Sequence, residues 1–295
     1  MVSPRKAQWI RAPIDPKRLD LSVQGGRSAA QALRIYRPLR PFSRVAARAS
    51  VMLAAMGLGR RVQEPVSGLE ELAREIGLPY DAAAAFRSSA PGRHILGLAW
   101  NRRLLWVLKV GSVTDLGLQR EAEALERLAQ TRMSVRMPRL IWYGVWRDQR
   151  VVVTEALPDA AVYRADLFAV AALCTELCRG PYGRPLVHGD LAPWNLLEWR
   201  GHTYLVDWEH WRAEFDPLYD LAHYVVRAGA FLGWFSPEQA AAQLTEHNSP
   251  GWRHLKAIGV EPTTAAHLVA DYLRKCVNEP APVRSFQRQL LESLE

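Results

Sequence analysis

Acidic side chains are almost missing from the first fifth of this chain. Residues 1–61 hold thirteen lysines and arginines and only two acids, Asp15 and Asp20. The rest of the chain carries 25 basic and 28 acidic residues, so the net charge of +8 is concentrated at the N-terminus. Such a segment is not a neutral packing face; an anionic surface is its natural partner. Its aromatics are few (Trp9, Tyr36, Phe42). Base stacking therefore has little to work with, and nucleic acid is not the expected partner. Cysteine is scarce as well: Cys174, Cys178 and Cys276 are an odd number, and no second Cys/His pair lies at zinc spacing. This reads as reduced core thiols and excludes a disulfide framework. No apolar run reaches the roughly 18 residues of a spanning helix. The start, "MVSPRKAQWIRAPIDPKRLD", has no apolar stretch of the leader-peptide kind. The expected location is cytoplasmic; residues 1–61 read either as a helix packed on the small lobe with its arginines a solvated rim, or as a peripheral contact at the inner face of a membrane. Repeats and low-complexity tracts are also lacking. What is present is a globular composition, 49% hydrophobic over 295 residues, enough for one large domain or two lobes.

Periodicity divides the chain. "PFSRVAARASVMLAAMGL", residues 41–58, reads as a helix. "SGLEELAREIG" offers Ser67 with Glu70 three residues on, a capping box, followed by the stripe Leu69, Leu72, Ala73 and Ile76. Two apolar runs, 94–100 and 104–110, flank "NRR" and predict a hairpin. "SVTDLGLQREAEALERLAQT" spaces Leu118, Ala122, Leu125 and Leu128 as a helix. "RLIWYGVWRDQRVVVTEALPD" reads as two further strands turning at Arg147–Arg150. From 162 onward the pattern is mostly helical. The expected architecture is α+β in two lobes: a basic helical extension over 1–80, a strand-rich lobe over 81–157 and a helical lobe over 158–295, with a hinge at Pro158–Asp159.

The chemistry is concentrated in "LVHGDLAPWNLLEWRGHTYLVDWE", residues 186–209, where His188, Asp190, Asn195, Asp207 and Glu209 sit among apolar neighbours. Buried charge is costly unless paired, and a bound cation is a common answer. A Mg²⁺-nucleotide site needs one or two protein oxygens for the metal, a separate carboxylate near the acceptor hydroxyl, and a lysine for the phosphates. Asn195 and Asp207 can supply the first and Asp190 the second. Lys109, late on a strand, can supply the third, with Glu121 or Glu123 of the next helix to hold it.

"HGDLAPWNLL", then "LVDWE", then "DPLYDLAHY" resemble the aminoglycoside phosphotransferase and choline kinase family, which has the protein-kinase-like fold. The asparagine lies five residues after Asp190 and the second aspartate twelve after Asn195. "WVLKV", "REAEALERL", "MPRL" and "VVVTEALP" precede them in family order, so the resemblance covers about 100–224. It implies ATP and Mg²⁺ as cofactors. Asp190 becomes the base, Asn195 and Asp207 the metal ligands, and Lys109 the phosphate contact with Glu121 as its partner. Thr154 and Ala156 become backbone contacts to adenine, and His188 and Asp220 supports of the catalytic loop. The phosphate-covering loop has only "RSSAPGR" to represent it, with Ser88, Ser89 and Gly92. Glu209 reads equally as a salt-bridge acid or a second metal contact. Trp194, Trp199, Trp208 and Trp211 read as core packing rather than as a sugar platform.

Protein kinases usually have a lysine two residues after the catalytic aspartate; here Ala192 stands there. Only twelve residues follow Asp207 before Asp220, too few for a peptide-docking segment. Both features favour a small acceptor. Acids are scattered over 228–295, which does not suit a polycationic antibiotic. The "GDLAPWN" and "DWE" forms are most similar to phosphotransferases that accompany polysaccharide or glycolipid synthesis, so the expected acceptor is a sugar or glycolipid hydroxyl. The alternatives are a catalytically silent nucleotide-binding scaffold and an aminoglycoside kinase.

Overall fold

The computed structural model describes residues 9–11, 19–22, 31–32, 49, 52–53, 60–87, 92–181, 183–276 and 279–294. The chain divides into two compact units, Met1–Ala122 with Pro138–Ala160, and Glu123–Met137 with Ala161–Glu295.

The described part of the first unit is built on an eight-stranded antiparallel sheet. Its strands are β1 Trp9–Arg11, β2 Leu19–Ser22, β3 Arg60–Val62, β4 Ala82–Arg87, β5 His94–Trp100, β6 Arg103–Ser112, β7 Leu140–Trp146 and β8 Gln149–Glu155, in the order β3-β1-β2-β4-β5-β6-β8-β7. The expected hairpin is β5–β6. Asn101 and Arg102 both take positive φ, 49° and 61°, the requirement of a type I′ turn. Alternation sorts β8 between two cores. Val151 and Val153 face Leu69, Leu72, Leu96 and Leu108. Val152 faces Leu118 and Ala122 of helix α2, Leu116–Leu128. Each buried valine or leucine here stabilises the unit by about 1.5–3 kcal/mol relative to exposure.

Two expectations are corrected here. The segment 1–80 is not a purely helical extension, because β1, β2 and β3 extend the sheet beyond β4. Trp9 and Ile10 are buried in β1, with strands paired on both sides. Arg11 pairs with Asp20 at 2.9 Å. Most of the helix expected over 41–58 lies outside the described residues; Ala49, Met52 and Leu53 are helical. The Ser67 capping box does not form. Helix α1, Leu69–Glu75, has Gly68 as N-cap at φ 79°, without a side-chain cap. Glu64 instead accepts from the Gly68 N–H at 3.2 Å. Strand β4 was not expected at all: "AAAAFR" has helical propensity, and pairing with β2 and β5 overrides it.

The second unit holds β9 Ala161–Val162, α3 Leu167–Arg179, β10 Leu196–Trp199, β11 His202–Leu205, α4 Tyr219–Leu232, α5 Pro237–Thr245, α6 Pro250–Ala257, α7 Ala265–Lys275 and α8 Ala281–Glu292. Helix α3 starts on an Asp166 cap and α5 on a Ser236–Gln239 capping box. Hairpin β10–β11 turns at Arg200 and Gly201, φ 51° and 73°. The three cysteines are free and buried, and burial pushes the Cys178 thiol up to about 12, as for an inert structural thiol. No helix among the described residues is long and apolar enough to cross a membrane.

Candidate active site

Two groups of site residues emerge, one in each unit. In the second unit the loop 186–195 is pinned at its start by paired backbone bonds between Val187 and Arg212, each 3.0 Å. Gly189 then turns the chain at φ 85°, and a Cβ there would lie 2.2 Å from the His210 carbonyl oxygen. Only glycine fits both the conformation and the space. The N–H groups of His188 and Gly189 donate to the two oxygens of Asp220 at 2.7 and 3.0 Å. Asp220 is buried on the first turn of α4. Burial pushes its pKa up, against the opposing pull of these two N–H groups.

The His188 ring is equally enclosed, 4.5 Å from the buried ring of Trp208. Its Nδ1 accepts from the Asp190 N–H at 3.3 Å. That places the proton on Nε2, which donates to the Val206 carbonyl at 3.2 Å. Burial holds the imidazole below its usual pKa, so it is neutral. His188 is thus a strut between the loop and the strand end before Asp207.

Hairpin β10–β11 brings Asn195 and Asp207 to one end. The Val206 N–H donates to the Asn195 carbonyl at 2.9 Å, which fixes the residue before Asp207. Asp207 itself adopts a left-handed conformation, φ 70°, ψ 60°. For a non-glycine residue this is uncommon, and such strain concentrates at functional positions. The Asn195 amide Nδ2 donates to the Asp190 carbonyl at 2.8 Å and to Asp190 Oδ2 at 3.1 Å. Those bonds turn the Asn195 amide oxygen away from Asp190. An amide oxygen and a carboxylate at one hairpin end form a hard oxygen donor set, which fits Mg²⁺.

Asp190 is the most elaborately held of these groups. Its other oxygen, Oδ1, lies 2.9 Å from His223 Nε2 on α4. Burial raises the Asp190 pKa, but the hydrogen bond from His223, with the positive charge of Arg227, outweighs it and holds the carboxyl below its usual range. One quarter of the side chain remains exposed. The carboxylate is therefore ionised, oriented and reachable. Glu209 contacts His210 at 3.3 Å. Of the four tryptophans, Trp208 and Trp211 are buried, and Trp194 meets Phe231 edge-on at 5.6 Å.

In the first unit Lys109, on β6, pairs with Glu121, on α2, at 2.7 Å, both largely buried. A second pair was not anticipated. Arg93 donates from two nitrogens to the two oxygens of Asp115, at 2.9 and 2.6 Å. Asp115 also caps α2, accepting from Gly117 and Leu118 at 3.0 and 3.2 Å. Gly111 makes room for it, since a Cβ there would meet Asp115 Oδ2 at 2.5 Å.

The structure places the two residues expected to meet adenine at the end of β8. The Ala156 N–H is committed to the Leu105 carbonyl at 2.9 Å. Thr154 has strand partners on both sides, Val107 and Leu140, so its backbone serves the sheet ladder. Ser88 and Ser89 lie outside the described residues. His223, Arg227 and Glu279 escaped the sequence reading. The one available signal was spacing: Asp220, His223 and Arg227 fall at i, i+3 and i+7, one face of a helix.

No protein-family model and no curated protein matches the chain. Solved structures do resemble it. The amicoumacin kinase hAmiN in complex with AMP-PNP, Ca²⁺ and Ami is 11% identical, covering 78% of this chain and 93% of that one, at a TM-score of 0.46. A thermostable mutant of aminoglycoside phosphotransferase APH(4)-Ia, in a ternary complex with ADP and hygromycin B, is 15% identical over 78% and 98%, at 0.45. WaaP in complex with acyl carrier protein is 18% identical over 80% and 99%, at 0.44. At TM-scores below 0.5 these likenesses leave the weight of any functional reading on the side chains.

Proposed function

We propose that this protein is an ATP- and Mg²⁺-dependent phosphotransferase that moves the γ-phosphoryl group to a hydroxyl of a small sugar or glycolipid. The observation that carries the reading is Asp190, an ionised and partly exposed carboxylate with one oxygen on Asn195 and the other on His223. Such a group can accept the acceptor's hydroxyl proton as the oxygen attacks phosphorus and ADP leaves. Asn195 and Asp207 would hold Mg²⁺, which when bound neutralises phosphate charge. Lys109, steadied by Glu121, would contact the nucleotide phosphates.

The stretch after Asp207 supports a small acceptor. It is folded back by a short 3₁₀ turn, Trp208–His210, and by the Val187–Arg212 bridge before α4 begins at Tyr219. It offers no extended segment on which a peptide could dock. Trp194 and Phe231 meet edge-on at 5.6 Å, and aromatic faces of this kind suit a sugar-like acceptor. The test is ATP consumption with a panel of sugars and glycolipids, with and without Mg²⁺. Transfer to one of them, abolished by chelation, is expected. ATP binding without turnover on any acceptor would replace the enzyme with a scaffold.

A further inference from the structure

Helix α4 supports the catalytic loop twice. Asp220 holds its backbone; one turn later His223 holds the Asp190 side chain, and Arg227 lies one turn beyond that. The His223 ring, 3% exposed as a side chain, is fixed from several directions. Tyr272 Oη lies 3.3 Å from its Nδ1. Tyr219 stacks on it at 5.9 Å and 15°. Arg227 Nε lies 3.1 Å from its Nε2. The remaining guanidinium nitrogens, Nη1 and Nη2, each meet an oxygen of Glu279 at 2.9 Å.

Nε2 has one site for a hydrogen bond but two neighbours, Asp190 Oδ1 at 2.9 Å and Arg227 Nε at 3.1 Å. Arg227 only donates, so bonding it would need a bare Nε2, whose lone pair would then face an ionised carboxylate. With the proton on Nε2, the shorter contact becomes a charge-assisted hydrogen bond to Asp190. Tyr272 can then donate to Nδ1, and the Arg227–Glu279 pair backs the ring with its charge already balanced. Each Asp190 oxygen is thereby gripped once, Oδ2 by Asn195 and Oδ1 by His223.

We propose that His223 is a positioning residue: its Nε2–H fixes the Asp190 carboxylate in the orientation that takes the acceptor proton. This rests on the phosphotransferase reading above. Misplacing a reacting group by about 1 Å can cost on the order of 10²-fold in rate. His223→Leu should therefore lower kcat by about 10- to 100-fold while leaving the KM for ATP within about twofold, because the ring touches the base and not the proposed nucleotide ligands. His223→Gln, which offers an amide N–H, should recover most of the loss.

The bond itself is read without turnover, by long-range ¹H–¹⁵N spectra of histidine-labelled protein. The resonance that disappears in His223→Gln is assigned to His223. It should show the proton on Nε2 and shift in Asp190→Ala. Wild-type kcat in His223→Leu, or loss of nucleotide affinity and cooperative unfolding in step with kcat, would make His223 a packing residue and overturn the proposal. So would a His223 resonance indifferent to Asp190→Ala. Absence of turnover by the wild type on every acceptor would instead contradict the phosphotransferase reading, and the spectra would still decide whether His223 holds Asp190.

Discussion

In the first unit, the carboxylates of half-buried Asp115 and buried Glu121 each meet a full cation, Arg93 at 2.6 Å and Lys109 at 2.7 Å. In the second, Asp220 meets two backbone N–H groups, and Asp190 meets an amide and an imidazole. A full cation opposite a carboxylate fixes a charge and a structure. Neutral donors in a loop fix an orientation and leave part of the group reachable, as the exposed quarter of Asp190 is. The contrast assigns scaffolding to the Arg93–Asp115 pair and chemistry to Asp190.

The comparison breaks most visibly at Arg93. Arg93→Met leaves half-buried Asp115 without its cation, a loss that should fall between the roughly 1 kcal/mol of an exposed bridge and the roughly 3–5 kcal/mol of a buried pair. Denaturant unfolding should show that loss. An effect under about 1 kcal/mol would mean that the pair behaves as a surface bridge. Next in size is Asp207→Ala, which should weaken ATP binding in the presence of Mg²⁺ by about tenfold or more, as when support for a bound metal is lost. Binding without Mg²⁺ should not change. Retention of the wild-type Mg²⁺ dependence would remove Asp207 from the metal site.

The smallest effect is also the most discriminating, because the two aspartates shift in opposite directions. Burial raises the Asp115 pKa, but Arg93 and the α2 N–H groups outweigh it and hold it low. Its contribution is complete above the ordinary carboxylate value of about 3.9 and is lost as pH falls through the lower folded value. Asp220 is held high by burial, so its contribution declines as pH rises from about 3.9 through the folded value. The stability gap between wild type and Asp115→Asn should therefore widen with rising pH across this range. The gap for Asp220→Asn should narrow. Parallel slopes would erase the distinction between the units.

What could be read from the sequence was what is local. The glycine of "HGD", the hairpin turn at Asn101–Arg102 and the apolar spacing of α2 all act over a few residues. For Lys109 the residues alone leave Glu121 and Glu123 open, and it is the family resemblance that implies Glu121, the partner found at 2.7 Å. Arg93 and Asp115 are 22 residues apart, and His223 lies 33 residues from Asp190. Their partnerships arise only once the sheet and α4 are packed. The failures have the same origin. Ala82–Arg87 carries no strand pattern of its own and becomes a strand only because β2 and β5 pair with it, and Ser67 reads as a cap where the folded helix takes Gly68 as its N-cap.

The central claim is that Asp190 takes a proton in phosphoryl transfer and does not merely hold the loop together. Asp190→Asn keeps the shape of the side chain but cannot act as a base. Nucleotide affinity and single-turnover phosphoryl transfer, measured side by side on this variant and the wild type, test the claim most directly. The account predicts unchanged Mg²⁺-ATP affinity and a fall in transfer rate on the order of 10²-fold or more. Transfer at the wild-type rate, with any acceptor, would contradict it.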